Sequence, residues 1–139
     1  MTITSARIGV LGLGRLGACL ARALAAAGVT QIAIAARERA VAERVGASIA
    51  GVQVVEAAAL AQAADLVFVA VPDGQVSRAV ASLQLSAAQS VVHLSGVLGL
   101  DSWAPASRRG ALHPLQAFPR GAPATRFHGI YTGIEASDS

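Results

Sequence analysis

The first twenty residues contain a glycine-rich segment with the spacing G-x-G-x-x-G, formed by Gly12, Gly14 and Gly17. In such a segment the first glycine permits a tight turn, the second lets the backbone approach an anion, and the third lets a helix pack close to a strand. The N–H groups around Gly14, Arg15 and Leu16 are expected to face a pyrophosphate, and the helix dipole adds about half a positive charge there. Because the spacing alone is common, its weight depends on the elements around it.

Those flanking elements have the required order. An apolar run at 8–11 predicts a strand, an Ala- and Leu-rich run at 15–27 predicts a helix, and residues 31–36 predict a second strand. A strand, a glycine turn, a helix and a parallel strand form a dinucleotide-binding unit. We therefore interpret residues 12–17 as a pyrophosphate-binding turn, in preference to glycines that serve close packing alone.

The end of the second predicted strand bears on which dinucleotide binds. About 20 residues after the last glycine, an acidic side chain would bind the ribose 2′-hydroxyl of NAD. This chain instead has Arg37, Glu38 and Arg39. Guanidinium groups bind phosphate through parallel charge-assisted hydrogen bonds. The segment therefore predicts NADP, with Arg37 and Arg39 on its 2′-phosphate; the alternative is that both arginines are solvated surface charges.

Strands and helices continue to alternate over the whole chain. This alternation predicts an α/β fold, a doubly wound, mostly parallel sheet with helices on both faces, known as the Rossmann fold. Residues 1–139 are predicted to form one dinucleotide-binding domain. Further helices are predicted at 38–47, 57–64, 75–83 and 101–108, and further strands at 52–55, 66–71, 90–94, 111–113 and 127–134.

In such sheets a ligand lies outside the carboxyl ends of the strands, so the residues there are candidates for contact with it. Val71 and Pro72 end the strand at 66–71 and are expected to border the ribose. Gln75 or Val76 is expected near the adenine. Asp73 is better explained as a helix cap than as a catalytic group.

The two following strands end in small polar residues and a histidine. Ser95 and Gly96 come where the nicotinamide end is expected, and His113 ends the next strand beside the mouth of the cleft. His113 is thereby a candidate acid or base. His93, inside an apolar strand, and Cys19, inside the first helix, are better explained as core residues.

Composition excludes several other classes of protein. All 11 basic residues are arginine, so mechanisms that need a lysine nucleophile, a Schiff base or a P-loop lysine are excluded. The arginines are scattered and aromatic residues make up 4%, which argues against a nucleic-acid partner. One cysteine and no Cys/His cluster predict no metal site and a cytoplasmic protein. The apolar stretch at 8–29 is interrupted by arginines and predicts neither a signal peptide nor a membrane span.

Three segments resemble a known group of proteins. They are IGVLGLGRLG at 8–17, ADLVFVAVPDGQV at 64–76, and the stretch 93–118 with HLSG and LHPLQAF. They resemble Rossmann-like NAD(P)-dependent dehydrogenases that carry a C-terminal domain of unknown function. That group is related to pyrroline-5-carboxylate reductase, deazaflavin-linked NADP reductase and the 6-phosphogluconate dehydrogenase superfamily.

The resemblance implies an NAD(P)-binding domain in which Ser95, Gly96 and His113 face the substrate side of the cofactor, with Ser95 and His113 as the candidate catalytic residues. The second, helical domain of the group would begin near Ser139 and is expected to be absent. Apolar surface left bare by its absence predicts a homodimer or a partner chain that supplies the missing domain.

Two functions fit these residues best. One is an oxidoreductase that transfers hydride between the nicotinamide and an unidentified small carbonyl or imine substrate. The other is a non-catalytic NADP(H)-binding or sensor module that acts through a partner chain. A methyltransferase with a G-x-G-x-G loop is a weaker third, because position 16 is Leu and the second strand lacks a terminal acid.

Overall fold

The computed structural model describes residues 2–96, 98–100 and 108–137. Within these ranges the chain folds around one sheet with the strand order β3-β2-β1-β4-β5-β6-β7. Neighbouring strands are parallel, except that β7 runs antiparallel to β6. The strands are β1 (Arg7–Leu11), β2 (Gln31–Ala35), β3 (Gln53–Val54), β4 (Leu66–Val69), β5 (Ser90–His93), β6 (Arg108–Pro114) and β7 (Thr132–Ala136), and the helices are α1 (Arg15–Ala26), α2 (Arg39–Ala47), α3 (Leu60–Ala63) and α4 (Val76–Leu83).

This strand order contains a point where the chain reverses its direction of travel across the sheet. From β1 the chain moves outward to β2 and β3, and then returns to the other side of β1 to form β4. In doubly wound sheets a crevice opens between the carboxyl ends of the strands at such a point. The predicted Rossmann fold is confirmed, and the crevice lies where β1 and β4 end.

At the central strands, both faces of the sheet are covered by apolar side chains, and successive side chains point to opposite faces. In β1, Ile8 and Val10 belong to the cluster that includes α1 and α2, whereas Leu11 belongs to the cluster that includes α3 and α4. In β4, Phe68 faces the first cluster and Val67 the second. Burial on both faces explains why these strands are continuously apolar in sequence.

Three predicted elements, two helices and one strand, differ most from the structure. The helix predicted at 101–108 lies outside the described residues except for Arg108, which begins β6. The helix predicted at 57–64 consists of a 3-10 turn, Ala57–Ala59, followed by the short α3. The strand predicted at 127–134 is displaced to Thr132–Ala136, because Phe127 ends a 3-10 turn and packs its ring 4.9 Å from that of Phe118.

None of the helices in the described ranges combines the length and the apolar character needed to cross a membrane.

Candidate functional site

The turn between β1 and α1 is folded tightly against the end of β4. Gly12 has a φ of 94°, a conformation that favours glycine, and its N–H donates to the Ala35 carbonyl at 2.9 Å. A Cβ on Gly12 would lie 2.5 Å from the Ala70 oxygen, and a Cβ on Gly17 would overlap the Gly12 carbonyl oxygen. Gly12 and Gly17 thus allow the backbone segments to meet.

The surroundings of Gly14 are open, in contrast to the close contacts at Gly12 and Gly17. A Cβ built on Gly14 has no atom within 4 Å, so the space above it is open. Gly14 is also the N-terminal cap of α1, whose first turn has no acidic residue and receives no side-chain cap from the described part of the chain. The first N–H groups of a helix need partners, and an anion placed over Gly14 supplies them.

A cleft of about 1180 Å³ surrounds this turn. Two of its walls are one face of α2 and one face of the segment that runs into α4. On each, the residues that line the cleft recur at positions i, i+3, i+4 and i+7, which lie on one side of a helix. These residues are Val41, Arg44, Val45 and the C-terminal cap Ser48 at α2, and Gln75, Arg78, Ala79 and Ser82 at α4.

The cleft is strongly basic. Among the described residues, six arginines and one acidic residue, Glu38, line it. This imbalance produces a positive potential that attracts an anionic ligand. The arginines are Arg15, Arg22, Arg37, Arg44, Arg78 and Arg120.

The two arginines predicted to bind a 2′-phosphate differ in position. Arg37 lines the cleft, whereas Arg39 is outside the lining. The Arg39 guanidinium donates to Glu56 at 2.7 Å and to Glu43 at 3.2 Å, and these hydrogen bonds raise its pKa. The geometry does not support the prediction for Arg39, because two carboxylates already neutralise its charge.

Arg44 and Arg78 line the cleft and were missed by the sequence reasoning. Both are exposed residues on helices. A signal for them exists in the helical spacing, since Arg44 follows Val41 by three positions and Arg78 follows Gln75 by three. That spacing becomes informative only once Val41 and Gln75 are known to face the cleft.

The rim after β4 matches the prediction in part. Val71, Pro72 and Gln75 line the cleft, but Val76 is 1% exposed and belongs to the hydrophobic core. The predicted contact of Val76 with a cofactor is therefore not supported. Asp73 begins a 3-10 turn capped by Pro72, and its side chain makes no cap, contrary to the prediction.

Leu16 and Gly17, in the first turn of α1, are also outside the lining. The side chain of Leu16 packs against the core, so any contact of this residue with a ligand is through its N–H. Gly17 is buried at the turn.

The structure brings Ser95, Gly96 and His113 together at the ends of β5 and β6. The His113 ring lies against Gly96, since a Cβ on that glycine would be 2.7 Å from Nε2. His113 Nδ1 is buried and has no hydrogen-bond partner within the described ranges. These three residues lie outside the lining of the cleft.

His93, at the end of β5, contacts this cluster through a hydrogen bond to Ser95. Its side chain is fully buried, and its Nδ1 accepts a hydrogen bond from the Ser95 N–H at 3.0 Å. Burial lowers the pKa of His93, against the opposite influence of Asp73 and Glu135. A neutral imidazole that accepts at Nδ1 carries its proton on Nε2. Ser95 in turn accepts a bond from the Leu98 N–H at 3.2 Å through its Oγ.

Cys19 is also buried. Its Sγ donates to the Pro123 carbonyl at 3.3 Å, and burial raises the pKa of the thiol. These surroundings suit a packed residue and not a nucleophile. In the described ranges no group of three or more His, Cys, Asp or Glu side chains is arranged to hold a metal ion.

Comparison with known proteins places this fold in a family. The family model described as the Rossmann-like domain matches residues 2–119, and the chain belongs to that family. A comparison with curated protein sequences gives no match.

Solved structures share the fold. A protein from Bacteroides fragilis described as a candidate NADP oxidoreductase is 22% identical, with a TM-score of 0.87 over 99% of this chain and 54% of its own. Prephenate dehydrogenase from Aquifex aeolicus in complex with hydroxyphenyl propionate and NAD⁺ is 14% identical, with a TM-score of 0.75 over 95% of this chain and 50% of its own.

Pyrroline carboxylate reductase from Plasmodium falciparum with NADP bound is 14% identical, with a TM-score of 0.66 over 81% of this chain and 44% of its own. The chain thus spans about half the length of the structures it matches. At these identities the likeness shows the fold.

Proposed function

We propose that this chain is the NADP(H)-binding domain of an oxidoreductase that transfers hydride between the nicotinamide and a small carbonyl or imine substrate. The observation that carries the proposal is the open space over Gly14, at an uncapped helix terminus inside a basic cleft. The location of this cleft at the β1 and β4 ends supports a dinucleotide as its ligand. Solved structures with this fold include proteins described with NADP and with NAD⁺.

In this proposal the residues of the cleft bind the parts of NADP separately. The N–H groups of Arg15 and Leu16 face the pyrophosphate, and Val71 and Pro72 border the ribose. Arg37 binds the 2′-phosphate, because it lines the cleft and has no carboxylate partner within the described ranges. Arg44 and Arg78 line the same cleft and add to its positive potential.

The reactive end lies at Ser95, Gly96 and His113. The nicotinamide of NADPH supplies a hydride to the substrate carbon when bound. His113 donates a proton to the carbonyl oxygen or imine nitrogen, which balances the reduction. Gly96 positions the ring of His113, and the contact between that ring and Gly96 supports this arrangement. Ser95, the second candidate catalytic residue, directly precedes Gly96 in the chain.

A non-catalytic NADP(H)-binding or sensor module is the second candidate function. It is favoured by the fact that Ser95, Gly96 and His113 lie outside the lining of the cleft, whereas the elements for binding lie within it. Both functions involve a second copy or a partner chain, in keeping with exposed Leu115 and Ile134. We propose a cytoplasmic setting, which suits the free thiol of Cys19.

Calorimetric titration with NADPH and NADH tests the cofactor. NADPH should bind more tightly than NADH, and Arg37→Ala should weaken NADPH by about tenfold or more, since a hydrogen bond to a charged group contributes roughly 1.5–3 kcal/mol. NADH binding should change little. Arg39→Ala should leave the preference for NADPH intact. Arg108→Ala removes a charge at the end of β6 opposite to His113 and is the matched charge control.

Equal or tighter binding of NADH would contradict the assignment to NADP. Oxidation of NADPH with carbonyl and imine substrates, followed at 340 nm, then separates the two functions. Turnover that is lost in His113→Ala supports the oxidoreductase. Tight NADPH binding without turnover of any substrate, in the presence of the partner chain, supports the sensor.

A further inference from the structure

The cleft has a group of basic side chains that the cofactor proposal does not use. Arg15, Ala18 and Arg22 line it from α1, and Arg120 and Gly121 line it from the connection between β6 and β7. The three α1 residues follow the spacing i, i+3, i+7 and share one face of the helix. We call these five residues the α1 basic patch.

The connection that carries Arg120 is fixed against α1. Arg22 donates through Nη1 to the Ala122 carbonyl at 3.3 Å, and Cys19 donates to the adjacent Pro123 carbonyl at 3.3 Å. Ala122 itself is 2% exposed. Hydrogen bonds from side chains of α1 therefore fix the backbone close to Arg120.

Among the described residues, no acidic side chain lines the cleft beside this patch. Glu38, the one acidic lining residue among those described, follows β2 at the other side of the cleft. Arg15 and Arg120 have no carboxylate partner in the described part of the chain. Guanidinium groups that line one cleft without counter-charges repel each other, and an anionic group bound among them reduces that repulsion.

Within the patch, Arg22 lies away from the pyrophosphate position. The amides for the pyrophosphate are in the first turn of α1, whereas Arg22 lies seven residues after Arg15, about 10 Å along the helix axis. The chain also reaches the patch directly from the reactive end, since His113 and Arg120 are separated by six residues of the connection after β6. The patch and the reactive end are thus joined by a short connection of the chain.

We infer that the α1 basic patch binds a carboxylate or phosphate group of the substrate, through Arg120 and Arg22. This inference rests on the proposed function, and it limits the substrate to a carbonyl or imine compound that carries such an anionic group. Guanidinium groups suit this role because they bind two oxygens of one planar or tetrahedral anion in parallel.

Nuclear magnetic resonance of the full chain saturated with NADP⁺ tests the inference. Malonate is the anionic probe, malonamide is its neutral control of similar shape, and ionic strength is held constant. Malonate should shift the amide signals of Gly121, Ala122 and Arg22, and malonamide should not. Arg120→Ala should weaken malonate binding by about tenfold, the effect of losing a charge-assisted contact, with no change in NADP⁺ affinity.

Arg22→Lys keeps the positive charge but loses the paired N–H donors of the guanidinium group. It should weaken malonate binding by a smaller factor than Arg120→Ala does. Arg108→Ala, which removes a charge outside the lining of the cleft, is the matched control and should leave malonate binding unchanged. Malonate shifts that are absent, or unaffected by Arg120→Ala, overturn the inference.

Weaker NADP⁺ binding in Arg120→Ala assigns the patch to the cofactor and also overturns the inference. A wild-type chain that does not bind NADP⁺ refutes the cofactor proposal itself. The malonate titration of the free chain then still decides whether Arg120 holds an anion.

Discussion

The glycine turn after β1 and the cluster at the ends of β5 and β6 are built in different ways. The turn is formed by residues 12–17, which are neighbours in sequence, and its shape is set by close backbone contacts. The cluster joins Gly96 to His113 across two strands, and its shape is set by side-chain packing and hydrogen bonds. Within the turn, substitutions of different glycines should therefore change either the stability of the fold or the affinity for a ligand. In the cluster, the expected effect is a change of stability when a histidine gains a proton.

The largest effect is expected for Gly17→Ala. The added Cβ overlaps the carbonyl oxygen of Gly12, and neither backbone segment can rotate away as a side chain would. Overpacking of this kind costs on the order of 3 kcal/mol or more in the free energy of unfolding. Urea denaturation measures it. Gly74→Ala, where a Cβ meets nothing within 4 Å, is the control and should change little. Similar stability of both variants would show that the turn is not closely packed.

An intermediate effect, on binding alone, is expected for Gly14→Ala. The φ of Gly14 is −69° and the space around its Cβ is open, so the fold should tolerate alanine. The methyl group would occupy the position proposed for the pyrophosphate and should weaken NADPH by about tenfold, or 1.4 kcal/mol. Calorimetry and urea denaturation on the same variant measure the two quantities. Unchanged NADPH affinity would mean that the dinucleotide does not approach Gly14.

The smallest effect is expected at the cluster, as a dependence of stability on pH. Burial lowers the pKa of His93 in the folded chain below the value near 6.5 of the unfolded chain. The unfolded chain therefore binds this proton more readily, so the contribution to stability is complete above pH 6.5 and declines as the pH falls from there towards the folded pKa.

Urea denaturation at pH 7.5 and pH 5 measures this decline. In His93→Gln the difference between the two pH values should be smaller than in the wild type. His113 and His128 are present in both chains, so their contributions cancel in the comparison. An identical pH dependence in the two chains would show that His93 is not the responsible group.

The contrast between the two regions also explains what the sequence could predict. The spacing of Gly12, Gly14 and Gly17 was sufficient to predict a tight turn, an open position and close helix packing, because these depend on local backbone geometry. The fold class followed from the alternation of apolar runs. Arg37 was placed at the cleft by counting along the chain from Gly17, which works because β2 is the direct neighbour of β1.

The failures concern positions fixed by distant residues or by helix phase. Arg39 is neutralised in part by Glu56, 17 residues away, a contact that no local pattern contains. Val76 was placed near the adenine, but the 3-10 turn at Asp73–Gln75 precedes α4 and directs Val76 into the core. The sequence prediction also began β6 at Ala111. In the structure this strand begins at Arg108, where it pairs with β5 and Arg108 lies opposite Ser90.

The exposed edge strand β7 has a consequence for how the two regions open in solution. All five of its residues are exposed. Among the described strands only β6 pairs with it, whereas β1 is paired on both sides at the centre of the sheet. Local opening therefore costs little free energy at β7 and approaches the cost of global unfolding at β1. Because Gly133 of β7 lies opposite His113, the candidate proton donor borders the part of the sheet that frays first. The glycine turn follows the strand that opens last.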